Sequence, residues 1–422
     1  MVVGDRLSDE SMLDAGADRA KICLEVMIDG EGAINEQAPE YANYIERLRQ
    51  TTVEAFELFE APGADVLRAK KEPLEEFIAH SLTPGGTFVE IGDSMPCRPE
   101  FVRGGALEFA LSNGAAGAEI PRVKVYEAGY IFGRSGFGQR RPKDLESYYT
   151  LRFGPPRQIH GHFDHLSLTY WDRGRNIIVD AGHPGYVRGP FRSYAQSRLA
   201  HNVLTVRGKE HDAGAASRLV DHQIEESWSA FDLEDTAWGG LHWNRSACFV
   251  DCGPFVVSDS LEPTRTVEYA EQRWNVAPEF EYVGSQYETV RFRSVVDGTQ
   301  LVFIRYGIDG SRYFEPTDTN LARGDREGQR GLVFRNEKPT DTWTLGFGRA
   351  SRDFGVLTAV VVAKPEDKVE YTFKENGPGK RVLRIVRGSQ TFLFDYDIKS
   401  KRVRALSAPV ERGYADGGLT PR

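Results

Sequence analysis

Cysteine is scarce: 422 residues contain four, Cys23, Cys97, Cys248 and Cys252. None forms a CxxC pair, so neither a disulfide framework nor a thiolate zinc finger organises the chain. Cys248-Phe249-Val250-Asp251-Cys252 reads as a strand with one buried thiol, and a bridge between its two ends stays open. No apolar run approaches the roughly 20 residues needed to span a bilayer. The start, Met1-Val2-Val3-Gly4-Asp5-Arg6, lacks a basic n-region followed by an apolar h-region, so no secretory leader is legible and the compartment is left open. Positive charge is in deficit too. A net charge of -9 disfavours nucleic acid, which demands a basic surface, whereas a polyanionic sugar stays admissible because only the local field of a cleft matters. There is no internal repeat and no low-complexity segment. Hydrophobic residues at 40% and charged residues at 27% are ordinary for a globular chain with room for two domains and ample core.

What is present falls into two parts. After Pro39, at home in a first helical turn, Tyr44, Leu48, Ala55, Phe56 and Phe59 recur at helical spacing and predict an amphipathic helix of about five or six turns. A second helix is expected over 64–82, stopped by Thr83-Pro84-Gly85-Gly86, and a third over 101–111, ended by Asn113-Gly114. From Pro121 the pattern changes to short alternating runs broken by Gly, Asp and Asn, including 123–132, 148–153, 301–306, 356–363 and 382–386. Such runs predict a large antiparallel sandwich. The fold class is therefore α+β, with helices over 1–117 and the sandwich over 118–422; the end, 415–422, reads as frayed.

The most informative stretch is His160-Gly161-His162, followed by Asp180 in Val179-Asp180-Ala181-Gly182 and His201 in Ala200-His201-Asn202. Two imidazoles two positions apart share one face of a strand, and a carboxylate and a third imidazole follow. That nitrogen and oxygen set suits zinc, with three protein ligands leaving a fourth position for water or a neighbour. The run Asn176-Ile177-Ile178-Val179-Asp180 can return antiparallel to Leu166-Ser167-Leu168-Thr169-Tyr170 through Asp172-Arg173-Gly174-Arg175, which carries Asp180 back beside His162. Plainer readings stand beside this one. Asp180 could be a turn residue before Ala181-Gly182, and His201-Asn202 could simply open a strand.

The stretch from His160 to Tyr186, with Ala200-His201-Asn202 after it, resembles the heparinase II/III-like group of polysaccharide lyases, which pair a helical (α/α) toroid with β-sandwich layers. The resemblance implies zinc on His162, Asp180 and His201, and His160 facing substrate. Upstream, Asp29-Gly30 with Glu36, Pro39 and Tyr41 is similar to the group's segment that carries the catalytic tyrosine, allowing for two extra residues, so Tyr41 inherits the acid/base role. Ile91-Gly92-Asp93-Ser94 and Tyr126-Glu127-Ala128-Gly129-Tyr130 through Arg134-Ser135-Gly136 are similar to its inter-domain region. The likeness covers about residues 29–210, and suggests a periplasmic or secreted setting.

The implied chemistry is β-elimination at a uronic acid of an acidic polysaccharide. A tyrosine whose pKa is lowered from about 10 by nearby cations takes the C5 proton and returns one to the O4 leaving group, while something neutralises the carboxylate. His160 assists, and zinc either pins the strands or polarises the carboxylate. Expected substrate contacts are Glu36, Arg134, Tyr186, Tyr194 and Arg198. Arg140, Arg141, Arg152, Arg188 and Arg192 swell the arginine cluster, whose guanidinium forks suit carboxylates and sulfates. Asp164 and His165 could orient the imidazoles and Asn202 could fix His201. Against these readings, Tyr41 also fits a core tyrosine, Glu36 an acid near a helix start, and any single arginine a solvated strand-face residue.

One departure stands out. Only about 115 residues precede the sheets, too few for a full toroid, and the group's carboxylate-neutralising Asn, upstream of the tyrosine, has no counterpart. Either an upstream toroid segment or another subunit completes the ring, or Asn35, Gln37 or an arginine substitutes. Two rival functions remain: a non-catalytic carbohydrate-binding remnant and a zinc-dependent hydrolase.

Overall fold

Pro39 lies just ahead of the helix Tyr41–Leu58, which buries Ala42, Ile45, Val53 and Phe56 and turns Tyr44 and Leu48 outward. This is the computed structural model of the chain; it describes Met1, Gly4 and residues 8–100, 103–139, 141–142, 145–262, 268–308 and 319–408. The helix expected over 64–82 is two, Ala64–Ala69 and Lys71–His80. Pro73 explains the break: inside one continuous helix its ring would meet the carbonyl of Ala69, whereas a restart at Lys71 leaves it in a first turn, where its missing N–H is harmless. The third helix is shorter than 101–111, running Ala106–Leu111, with Phe101 outside the described residues. A further helix, Glu10–Met27, is capped by the Asp9 carboxylate on the Met12 N–H. No helix among the described residues is long and apolar enough to cross a membrane.

Strands begin at Val123. One antiparallel sheet of nine runs through Val123–Tyr126, Tyr130–Arg134, Tyr148–Arg152, Leu168–Asp172, Arg175–Ile178, Glu268–Val276, Trp343–Ser351 and Thr319–Arg323, with Leu204–Val206 also paired to Glu268–Val276. A sheet of eight is centred on Gly355–Ala363 and Phe255–Leu261, and a sheet of four spans Val369–Glu375 to Arg402–Ser407. Trp243, Trp274, Phe249, Phe255 and Phe303 fill the space between the first two sheets. A second apolar layer, with Val361, Ile385 and Phe394, joins the eight-stranded sheet to the four-stranded one. Full burial of a side chain of this size contributes on the order of 3 kcal/mol.

The helices pack on the near end of the nine-stranded sheet, where Phe77 meets Tyr126, Tyr130 and Phe132 edge-on. The expected hairpin is present: Leu168–Asp172 pairs with Arg175–Ile178, Asp172 opposite Arg175. Its two-residue turn has positive φ at both Arg173 and Gly174, the backbone that suits the right-handed twist of a hairpin. The run expected over 123–132 is itself a hairpin. All four cysteines are free, so the bridge left open at Cys248 and Cys252 is not made. Residues 415–422 lie outside the described residues.

Candidate active site and metal centre

Three chain segments are laced together beneath the start of the Tyr41–Leu58 helix. The His160 N–H donates to the Glu36 carbonyl at 3.1 Å, and the Asp93 N–H donates to the His160 carbonyl at 2.9 Å. Glu40 closes the third side, its carboxylate accepting the Met95 N–H at 2.7 Å. Gly92, at φ +57°, sits where the strands of this lacing cross. A Cβ there would stand 2.6 Å from the Gln37 carbonyl and 2.7 Å from that of His160, so only glycine fits.

The His160-Gly161-His162 run lies in the loop between Tyr148–Arg152 and Leu168–Asp172, not on a strand as expected. Pro155 and Pro156 are the reason: neither has an N–H to give a ladder. The loop sends the two imidazoles to different places that one carboxylate connects. Asp93, wholly buried, meets His160 Nδ1 at 3.3 Å, His162 Nε2 at 2.9 Å and His183 Nδ1 at 3.1 Å, and takes both Nη atoms of Arg192. Burial opposes its ionisation, but the hydrogen bonds from His162, His183 and Arg192 outweigh that and hold the carboxyl well below its usual range.

His160 is a fifth exposed and faces the groove. Its Nε2 lies 3.4 Å from the Glu36 carboxylate, and the Tyr41 ring stacks on it with centroids 3.9 Å apart. The Tyr41 hydroxyl hydrogen-bonds the Tyr186 hydroxyl, which in turn lies 3.3 Å from His160 Nδ1. Burial first, then the bond to Tyr186 and the negative charge of Asp93 and Glu40, push the Tyr41 phenol well above its ordinary value. This corrects the expectation of a tyrosine acidified by cations: Arg192, beside it, is already matched by Asp93.

Behind His160 lies the metal candidate. His162, Asp180 and His201 are buried, and each offers a ligand atom within 4.8 Å of the others. His201 Nδ1 meets an Asp180 oxygen at 2.7 Å, while His162 Nδ1 and His201 Nε2 are buried without a hydrogen-bond partner. Such orphaned nitrogens are rare in folded proteins and call for an explanation. A cation supplies one. With Asp93 accepting from Nε2, the proton of His162 is fixed there and Nδ1 presents its lone pair; burial pushes this imidazole below its ordinary pKa, favouring the neutral form that binds metal. The donor set fits zinc. Asn202 anchors His201 by donating to the carbonyls of Leu168 and Val179 at 2.7 and 2.9 Å.

The other expected residues divide. Glu36 and Tyr186 are in the groove, although Glu36 holds His160 and does not line open space. Arg134, Tyr194 and Arg198 are buried. Arg134 donates to the Leu82 carbonyl at 2.6 Å, Tyr194 donates to the Leu332 carbonyl at 3.3 Å, and Arg198 lies against Asp235. Each is engaged there by a partner within the fold. Arg152 likewise pairs with Asp164 at 3.4 Å, Arg141 is buried, Arg188 is exposed, and Arg140 lies outside the described residues. His165 Nε2 meets the Pro155 carbonyl at 2.8 Å. Gln37 is spent on the loop backbone, its amide oxygen accepting the Gln158 N–H at 2.7 Å. Asp93 and His183 were assigned no role by sequence reasoning, though His183 directly follows Asp180-Ala181-Gly182 and Asp93 follows the glycine that the lacing requires; Arg192, expected only as one of the arginine cluster, is committed to Asp93.

A family model described as heparinase II/III-like, C-terminal, matches residues 131–369, more than half of the chain. The chain belongs to the heparinase II/III-like family. Heparan sulfate lyase HepC from Pedobacter heparinus resembles this family member with a TM-score of 0.76 at 16% identity, over 92% of this chain and 63% of that one. A mutant of HepC gives 0.75 at 17%, over 91% and 62%, and a heparinase III gives 0.74 at 15%, over 91% and 61%. Likeness at such identities is likeness of fold. The chain thus spans about three fifths of the length of these heparinase-like structures. No curated protein matches it.

Proposed function

We propose that the protein is a polysaccharide lyase that cleaves a uronate-containing acidic polysaccharide by β-elimination, with Tyr41 and His160 as reacting groups and zinc on His162, Asp180 and His201. The observation that carries the reading is the phenol of Tyr41 stacked on the His160 imidazole and joined to it through the Tyr186 hydroxyl.

A phenol with a raised pKa rests protonated, the state that returns a proton to the O4 leaving group. To act first as base, Tyr41 passes its proton through Tyr186 to His160, whose positive charge then lies between Glu36 and Asp93. The phenolate takes the C5 proton, the C5–H electron pair becomes the C4=C5 double bond, and the C4–O4 bond breaks as O4 takes the proton from Tyr41. His160 then gives its proton back through Tyr186. Bound zinc would pin the loop that carries His160. The uronate carboxylate also needs neutralising, yet Gln37 and Arg192 are engaged elsewhere. The reading leaves that task to Asn35, to another arginine or to a group supplied from outside this chain.

The test is incubation of the intact native protein with heparan-, hyaluronan- and alginate-type polymers, followed in the ultraviolet. Products absorbing through a new C4=C5 bond support the reading. Saturated products abolished by chelation would indicate a zinc hydrolase, and binding without cleavage a carbohydrate-binding module.

A further inference from the structure

A second cavity, of about 380 Å³, opens on the far side of the loop that delivers His201. Arg198, Arg207, Lys209, Arg273 and Arg330 line it together with His211 and Glu271. Glu271 is bound by Arg330 at 2.6 Å and approached by Arg273 at 3.4 Å, Arg198 is paired with Asp235 and Lys209 with Glu268 at 3.3 Å, so five cationic side chains meet three carboxylates and positive charge is in surplus. Arg273 and Arg198 are each 3% exposed, and both carry guanidinium nitrogens that are buried with no hydrogen-bond partner: Nε and Nη2 of Arg273, Nε and Nη1 of Arg198. Burying unmatched guanidinium donors is unfavourable unless something accepts from them. Two aromatic walls complete the cavity. Tyr269 lies under Arg207 at 4.0 Å, and Trp238 lies beside His211 and Arg198. Continuity with the catalytic loop runs through His211, whose ring packs at 4.8 Å on Phe163, the residue after His162.

We propose that this cavity is a second saccharide-binding site, separate from the reacting groups, which takes the sulfate or carboxylate of an acidic sugar on Arg273, Arg330 and Arg207 and packs the ring against Tyr269 or Trp238. Planar guanidinium forks match both oxyanions, and aromatic faces suit sugar rings. That the ligand is a sugar rests on the function proposed above; the charge and the unmatched donors do not. A site here would hold a polymer beyond the reacting unit, so that its loss weakens binding of long chains without changing the chemical step.

The test uses the intact protein carrying Tyr41→Phe, to prevent turnover, with and without Arg207→Gln and Arg330→Gln. Both are less buried than Arg273, and circular dichroism checks that folding is retained. Calorimetric titration with a heparan sulfate hexasaccharide, a hyaluronan hexasaccharide, maltohexaose and inorganic sulfate separates the sources of affinity. The expected result is about a tenfold weaker binding of the acidic hexasaccharides in the double variant, no binding of maltohexaose, and weaker binding of sulfate alone. Loss confined to the heparan sulfate arm assigns the sulfate, and loss in both acidic arms the carboxylate. Unchanged affinity in the double variant, equal binding of maltohexaose, or a hexasaccharide no tighter than sulfate would overturn the proposal. Failure of the lyase reading has a different signature, absence of unsaturated product with this binding intact.

Discussion

The Tyr41 ring lies nearly parallel to the His160 imidazole, planes inclined by 16°, and Tyr186 reaches from the Tyr41 hydroxyl to His160 Nδ1. A helix start and a loop about 120 positions away thus share one hydrogen-bonded path, closed at its far end by Glu36 and Asp93. The path ties the acid/base reading to a geometry that single substitutions can cut at known points.

Tyr41→Phe keeps the ring stack and removes only the hydroxyl. Turnover of a uronate polymer by the intact protein should fall at least about a hundredfold, with little change in KM, as expected for loss of an acid/base group. Tyr186→Phe leaves the phenol but breaks the relay, so a smaller loss, about tenfold, and an altered pH profile are expected. Retention of most activity in Tyr41→Phe, measured as ultraviolet-absorbing product, would remove Tyr41 from the mechanism.

The two orphaned imidazole nitrogens give the metal reading its own test. Protein purified without chelator should contain about one zinc per chain, and His162→Ala or His201→Ala should abolish it. His165→Ala is the control, because His165 is already satisfied by the Pro155 carbonyl and should leave metal content untouched. With free zinc at a hundred to a thousand times Kd, the bound ion stabilises by about 3–4 kcal/mol, so chelation should lower Tm. Equal metal content in all three variants would rule out this ligand set.

Asp93 joins three imidazoles and a guanidinium in a buried place, so Asp93→Asn leaves Arg192 with its charge unmatched. Breaking such a buried pair costs about 3–5 kcal/mol, read by urea unfolding. The same change frees the orientation of His162, and zinc affinity should drop roughly tenfold to a hundredfold. An Asn variant as stable as the native protein would show that Asp93 does not hold the network together.

The parts of this arrangement that local chemistry dictates could be read from the chain itself. Arg173-Gly174 between two apolar runs specifies a hairpin, and that hairpin carries Asp180 toward His162; the helix after Pro39 was legible as well, although its buried stripe is Ala42, Ile45, Val53 and Phe56, with Tyr44 and Leu48 facing outward. What escaped is what depends on distant convergence. Asp93 and His183 come from separate segments and acquire a role only where these meet, and no periodicity marks that. Arg134 shows the opposite: a charged side chain near a motif suggests a ligand contact, yet this one is buried with its guanidinium on the Leu82 carbonyl. The strand expected for His160 and His162 yielded to Pro155-Pro156, a signal that was present and was outweighed by the parity of the histidines.

Asp172, at the end of the Leu168–Asp172 strand, offers a test by pH. Its carboxyl is buried; Oδ1 accepts the Arg173 N–H at 2.9 Å and Oδ2 has no hydrogen-bond partner. Burial raises its pKa from 3.8 to about 6, against the pull of Arg387 and Arg173. The folded state therefore holds this proton more tightly than the unfolded chain. The stability that this contributes is complete below about pH 4 and is lost as pH rises through about 6, where the bare carboxylate must be accommodated. At pH 7.5 the buried charge costs about 2–3 kcal/mol relative to an unperturbed carboxyl. Asp172→Asn keeps the acceptor for the Arg173 N–H and discards the charge. It should raise the free energy of unfolding at about pH 7.5 by up to that amount and give only about a third of that gain at about pH 4.5, where the folded side chain is protonated and the unfolded one is mostly ionised. Urea titrations at the two pH values decide the matter: a gain independent of pH, or a loss at the higher pH, would mean that Arg387 and its neighbours hold the carboxylate ionised in the fold.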